Sequence, residues 1–198
     1  NAPPHHDGAC SPSPRPAAFM EDLIRDRLPH APHIGLFVTP NIPEDRVANA
    51  LHDYAHHMAR REVLALYDAT LSGNGKDGAV FAADRFVFQN TDLEAPQTIR
   101  YRDLVGVEAA NRWMGLGGKK VELTVNRGRA TFDLMMDFSG QPAAAEHVAT
   151  FLDTAMLHDL SENEDTGTDV AAVRRTLEQL HDDGMLSEAD LERLLHVL

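Results

Sequence analysis

Only a few constellations in this chain have residue types and spacing that could do chemistry. Between positions 112 and 129 five basic residues, Arg112, Lys119, Lys120, Arg127 and Arg129, stand against one acid, Glu122, and flank Trp113, Met114 and Leu116. Cations beside an exposed aromatic can meet a phospholipid headgroup, a phosphorylated ligand or an acidic peptide. The plainer reading folds Trp113 back onto the core and leaves the cations as solvated loop charges, and it takes precedence. Lys76 is a further, weaker candidate. His52 and His56 are four residues apart, the helical spacing at which two imidazoles reach one metal ion, and Asp53 and His57 repeat it. No third ligand is visible nearby, and no glutamate stands where a zinc-protease motif needs it. Surface histidines without a metal are therefore expected. Gly73, Gly75 and Gly78 match the GxGxxG spacing, but a strand precedes and follows them, so the helix N-terminus that would hold a phosphate is missing. Ser72, Ser139 and Ser161 lack a nucleophile-elbow sequence. His5, His6, Asp7 and Cys10 could hold a soft metal loosely, although a flexible extension is the simpler reading. No catalytic residue, no metal site and no cofactor is expected.

Composition narrows the class of protein that must position these residues. At 198 residues, 43% apolar and 25% charged, the chain can build one good core and a small appendage. No apolar run approaches the roughly 20 residues needed to span a bilayer. The formal net charge of −13 is uneven: 6 Lys/Arg stand against 7 Asp/Glu in residues 1–61, 9 against 13 in 62–158, and 3 against 11 in 159–198. Such acidity argues against nucleic acid as a partner. The single cysteine, Cys10, excludes an internal disulfide framework, and a reducing, cytoplasmic compartment is the economical expectation. Nothing resembles a signal peptide, and Met20, where patterned sequence begins, could be a start in the parent gene.

Taken in order, the chain opens on a Pro-rich tail, residues 1–17, expected to be disordered. Residues 18–61 then read as a helical segment packing on a sheet. Phe19, Leu23, Ile24 and Leu28 have helical spacing before Pro29, and residues 34–39 are extended between prolines. A second helix starts at Pro43 and runs to about Arg60, with Val47, Leu51, Tyr54, Ala55 and Met58 as its apolar stripe. Residues 62–158 form an antiparallel meander. Residues 63–68 are rich in β-formers, and the Gly73–Gly78 stretch turns the chain. Residues 79–82 and 86–88 make a hairpin about Ala83 and Asp84, and Ile99 and Tyr101 alternate with polar neighbours. Residues 104–109 follow as another strand. Val121, Leu123 and Val125 alternate in the next, and Ala130, Phe132, Leu134, Met136 and Phe138 share one face of the last. Pro142 starts a helix with Val148, Phe151, Leu152 and Ala155 as its stripe. Residues 159–168 read as a mobile acidic linker.

The run of strand, Gly-Asn-Gly-Lys-Asp-Gly, AVFAADRFVF and IRYRDLVGVE resembles the bacterial pleckstrin-homology-like (PH-like) domains over residues 63–157. That resemblance implies an α+β fold, an antiparallel β-barrel or curved sheet with a C-terminal capping helix that plugs one open end. It also implies a binding module and carries no chemistry. In residues 169–198, Val173, Leu177 and Leu180 lead into His181-Asp182-Asp183-Gly184, and GMLSEADLERLL follows. Gly184 suits the left-handed end of one helix, and Ser187 with Asp190 caps the next. The segment resembles the short C-terminal (SHOCT) domain, with Leu191 where that family usually has an aromatic, and implies a separate helical hairpin.

Two helices of about a dozen residues cannot bury a leucine stripe alone. Leu177, Leu180, Leu191, Leu194, Leu195 and Leu198 are therefore the candidate docking residues for a protein partner or a second copy, making a homo-oligomer. The expected role is a non-enzymatic interaction or adaptor module. The alternative is a peripheral membrane-surface, lipid- or phospholigand-binding protein that uses the basic residues between 112 and 129.

Overall fold

Strands that are apolar at every position, rather than at alternate ones, must bury both faces. Leu36-Phe37-Val38, Ala65-Leu66-Tyr67, Ala79-Val80-Phe81 and Phe86-Val87-Phe88 all read that way, and they form the centre of the fold. The computed structural model describes residues 16–111 and 118–165, and within these the chain is α+β, with two antiparallel sheets and three α-helices. The first sheet has the order β1 (Leu36–Val38), β2 (Ala65–Asp68), β3 (Gly78–Phe81), β4 (Arg85–Gln89) and β5 (Gln97–Arg100). The second has the order β6 (Leu104–Asn111), β7 (Lys119–Asn126) and β8 (Thr131–Asp137). The helices are α1 (Pro16–Arg27), α2 (Glu44–Asp53) and α3 (Pro142–Asp165).

Each face of the first sheet has its own core. Leu36, Val38, Tyr67, Phe81, Phe86 and Phe88 point into the larger one, with Ile24 and Leu28 from the α1 region, Val121, Leu123 and Val125 from β7, and Val148, Phe151 and Leu152 from α3. Phe37, Leu66, Val80 and Val87 point the other way, onto Val47, Ala50, Tyr54, Ala55 and Met58. An aromatic cluster fixes α3 on the sheet: the Phe151 ring stands edge-on to Phe81 at 5.6 Å and to Tyr101 at 5.7 Å. Both cores lie before residue 157, where the chain divides into two units.

Several expectations change. The sheets do not close into a barrel: among the described residues no ladder joins them. A 3-10 turn at Tyr101–Asp103 separates β5 from β6 and takes Tyr101 out of the strand, yet Tyr101 stays buried and donates its hydroxyl to Ala82 O at 2.9 Å. The segment before residue 62 supplies β1 to the sheet as well as helices. The second helix stops at Asp53 rather than near Arg60: Tyr54, at φ −138°, leaves the helical region, yet Tyr54, Ala55 and Met58 still enter the smaller core. Phe132 and Leu134 face inward but are only partly buried, since β8 is the edge of its sheet. Finally, α3 runs on to Asp165, so residues 159–165 are helix instead of linker; no glycine or proline interrupts the run before Gly167. The rest of the expected linker, and the hairpin at 169–198, lie outside the described residues.

The difference between centre and edge is measurable. Phe151→Ala should destabilise by about 3–5 kcal/mol in urea unfolding, and Phe132→Ala by about 1–2 kcal/mol, because only the former leaves a fully enclosed cavity. Equal losses would place β8 inside the core.

Candidate functional site

The basic residues expected to act together do not form one patch. Lys119 and Lys120 open β7, whereas Arg127 and Arg129 follow its last residue, a strand length of roughly 20–25 Å away. Each end is also engaged locally. Lys119 Nζ lies 2.6 Å from Glu146 Oε1 on α3, and Lys120 pairs with Glu122. Arg127 donates to Thr98 O at 2.7 Å, and its guanidinium lies 5.4 Å from the centre of the Phe132 ring. Among the described residues, Arg129 alone of these four has no side-chain partner, and it is exposed. Arg112 and Trp113 lie outside the described residues, as do Leu177, Leu180, Leu191, Leu194, Leu195 and Leu198.

The histidine pair loses its helical geometry. His52 is on the last turn of α2 and lies 2.9 Å from Asp53 Oδ1, while His56 follows the end of the helix. Among the described residues no group of three or more His, Cys, Asp or Glu side chains converges as a metal site.

The glycines between β2 and β3 serve close packing. Gly75 has φ 72°, and a Cβ there would come 2.7 Å from Arg46 O; at Gly78, φ 137°, it would meet Tyr67 O. The loop can therefore lie on α2 only without a side chain at Gly75, and β3 can start against β2 only without one at Gly78. A polar network then pins it. Arg46 Nη1 donates to Asp68 Oδ2 at 3.0 Å, and Asp68 Oδ1 accepts from the Thr70 amide at 3.0 Å and its hydroxyl at 2.5 Å. The Asn74 amide donates to Thr70 Oγ1, and Asn49 Nδ2 donates to Asn74 O. Arg46 also stacks on Phe37, 4.5 Å from the ring centre. Sequence reasoning missed this network, although an aspartate closing an otherwise apolar strand was the signal for it. Lys76, the minor cation candidate, sits 3.8 Å from Asp53.

One member of the loop is held at a cost. Asp77 has a carboxylate oxygen buried with no hydrogen-bond partner, and burial, then Asp92, Asp53 and Asp68, push its pKa up. A raised acid pKa favours the folded state while the group is protonated, and that contribution is lost as pH rises from the ordinary carboxyl value through the raised one. Asp77→Asn should therefore raise the melting temperature at pH 7, and the gain should vanish below the ordinary carboxyl range. A gain that persists at low pH would point to a cause other than charge.

The described surface carries open features beside β8, on the second sheet and on the loops of the first. Asn90, just past β4, reaches β8: its Nδ2 donates to Met135 O and its Oδ1 accepts from Asp137 N–H, both at 2.9 Å. Beside it a cleft of about 380 Å³ is lined by Phe88, Glu94, Gln97, Asp133, Leu134 and Met135 among others. On the outer face of the second sheet a hollow of about 520 Å³ runs over Gly106, Glu108, Glu122, Thr124 and Asp133. Leu71 and Leu93 protrude from the loops after β2 and β4, each 95% exposed. These features can bind, and nothing in them aligns a nucleophile with a base. Comparison with known protein families, curated proteins and solved structures finds no match to this chain.

Proposed function

We propose that this chain is a non-enzymatic interaction module, a PH-like scaffold whose C-terminal segment, residues 169–198, docks on a second copy or on a partner protein. The observation that carries this reading is a leucine-rich C-terminal segment joined in sequence to a unit that has cores of its own. Among the described residues the buried members of both cores lie at positions 20–156, and six leucines recur across residues 169–198, a segment too short to bury them alone. Strands followed by one amphipathic helix, with Phe151 and Leu152 of that helix fully buried, is also the order of the PH-like domains.

Burying one leucine is worth about 1.5–3 kcal/mol, so four shared across a contact outweigh the ordering of a short hairpin. The segment is acidic, and added salt should strengthen association by screening like charges. Light scattering at tens of micromolar should report an oligomer for the full chain. It should report monomers for a chain ending at Asp165 and for Leu191→Asp with Leu194→Asp. A monomeric full chain would refute self-association and leave docking on another protein.

A second reading, a peripheral membrane protein, is favoured by Leu71 and Leu93 at the tips of two loops on one end of the first sheet. The basic residues near 112–129 support it less, being spread and locally paired. Flotation with anionic vesicles separates the readings. The module reading expects no flotation at low or high salt, whereas headgroup binding weakens with salt and leucine insertion does not.

A further inference from the structure

The outer edge of β8 is prepared for one more strand. Phe138 N–H donates to Lys119 O, so the even-numbered residues here turn their peptide groups toward β7 and the odd-numbered ones turn away. Two of the outward groups already have a substitute partner, because the Asn90 carboxamide takes Met135 O and Asp137 N–H as a neighbouring peptide unit would. The Met135 N–H and both peptide groups of Asp133 continue along the same edge, and no backbone group among the described residues bonds them. Met135 is exposed, and Phe132 and Leu134 are half-buried, so apolar surface alternates with the free rungs. An unpaired edge of this kind is a template for an added strand.

Charge selects the occupant. Glu94 and Asp133 line the cleft beside the edge, Glu108 and Glu122 line the adjoining hollow, and no lysine or arginine lines either. Lys120 offsets Glu122 alone. A second copy pairing antiparallel through β8 about Met135 would bring Asp133 of one copy against Asp137 of the other, and like charges across a ladder destabilise it. The chain's own C-terminal region, with 3 Lys/Arg against 11 Asp/Glu in residues 159–198, is repelled for the same reason. We propose that the β8 edge from Thr131 to Met135 takes an extended peptide segment of a separate protein, one that alternates lysine or arginine with apolar residues. Main-chain bonds to Asp133 and Met135 would give the affinity, and the acidic walls the selectivity.

The full chain, labelled with ¹⁵N, can be titrated with a fluorescein-tagged peptide of about eight alternating valines and lysines. Its valine–glutamate counterpart and a version N-methylated on alternate residues serve as controls. The valine–lysine peptide should shift the Asp133 and Met135 amide resonances, and both controls should bind at least about tenfold more weakly in fluorescence anisotropy. Asp133→Lys, at an exposed position, should weaken the valine–lysine peptide by a similar factor. Met135→Pro, which removes an outward N–H from an edge strand, should do the same while circular dichroism shows the fold kept. Should that variant unfold, the shift map and Asp133→Lys still decide. Absence of binding, equal binding of the two charge types, shifts confined to other surfaces, or unchanged affinity in Asp133→Lys would each overturn the proposal.

Discussion

The fold depends on burying both faces of a small sheet. A strand apolar on both sides cannot rest on solvent, so the first sheet requires two separate covers, and the order of the chain supplies them. Residues 42–63 wrap the face carrying Phe37, Leu66, Val80 and Val87, while the second sheet, α1 and α3 cover the face carrying Tyr67, Phe81, Phe86 and Phe88. The early end of α2, the loop around Gly75 and the ion pair of Arg46 with buried Asp68 all lie at this smaller cover.

Covering the faces leaves the edges. A closed barrel would pair every strand, but the turn at Tyr101–Asp103 divides the meander between β5 and β6, and the two sheets end on β1, β5, β6 and β8. Side chains take over at two of these: Arg127 donates to Thr98 O on β5, and Asn90 occupies two peptide groups of β8. These single bonds tie the sheets together without filling the gap. What this leaves on the described surface is an edge with unused rungs and two exposed leucines, Leu71 and Leu93.

Much of the fold was legible because it rests on local pattern. The doubly apolar runs, the hairpin at Ala83 and Asp84, and the alternation of Val121, Leu123 and Val125 all translate directly into β3, β4 and β7. Features set by long-range geometry were not. Tyr54, Ala55 and Met58 keep helical spacing in the sequence while the backbone leaves the helix, so the His52 and His56 spacing lost its meaning. Phe132 and Leu134 alternate correctly, but only the pairing order reveals that their strand is an edge. The basic residues between 112 and 129 look clustered in sequence because distance along an extended strand is invisible in a residue count. Asn90 carries no pattern at all; its role exists only where β4 ends beside β8.

Residue-resolved hydrogen exchange on the full chain tests the account most directly. Leu66, Val80 and Val87, in strands paired on both sides, should exchange only through global unfolding. Along β8, the amides of Phe132, Leu134 and Met136, which face β7, should be protected, and those of Asp133 and Met135 should exchange at near-solvent rates. Uniform protection along β8 in the isolated chain would mean that its edge is already covered, and would contradict a scaffold that keeps an open strand for a partner.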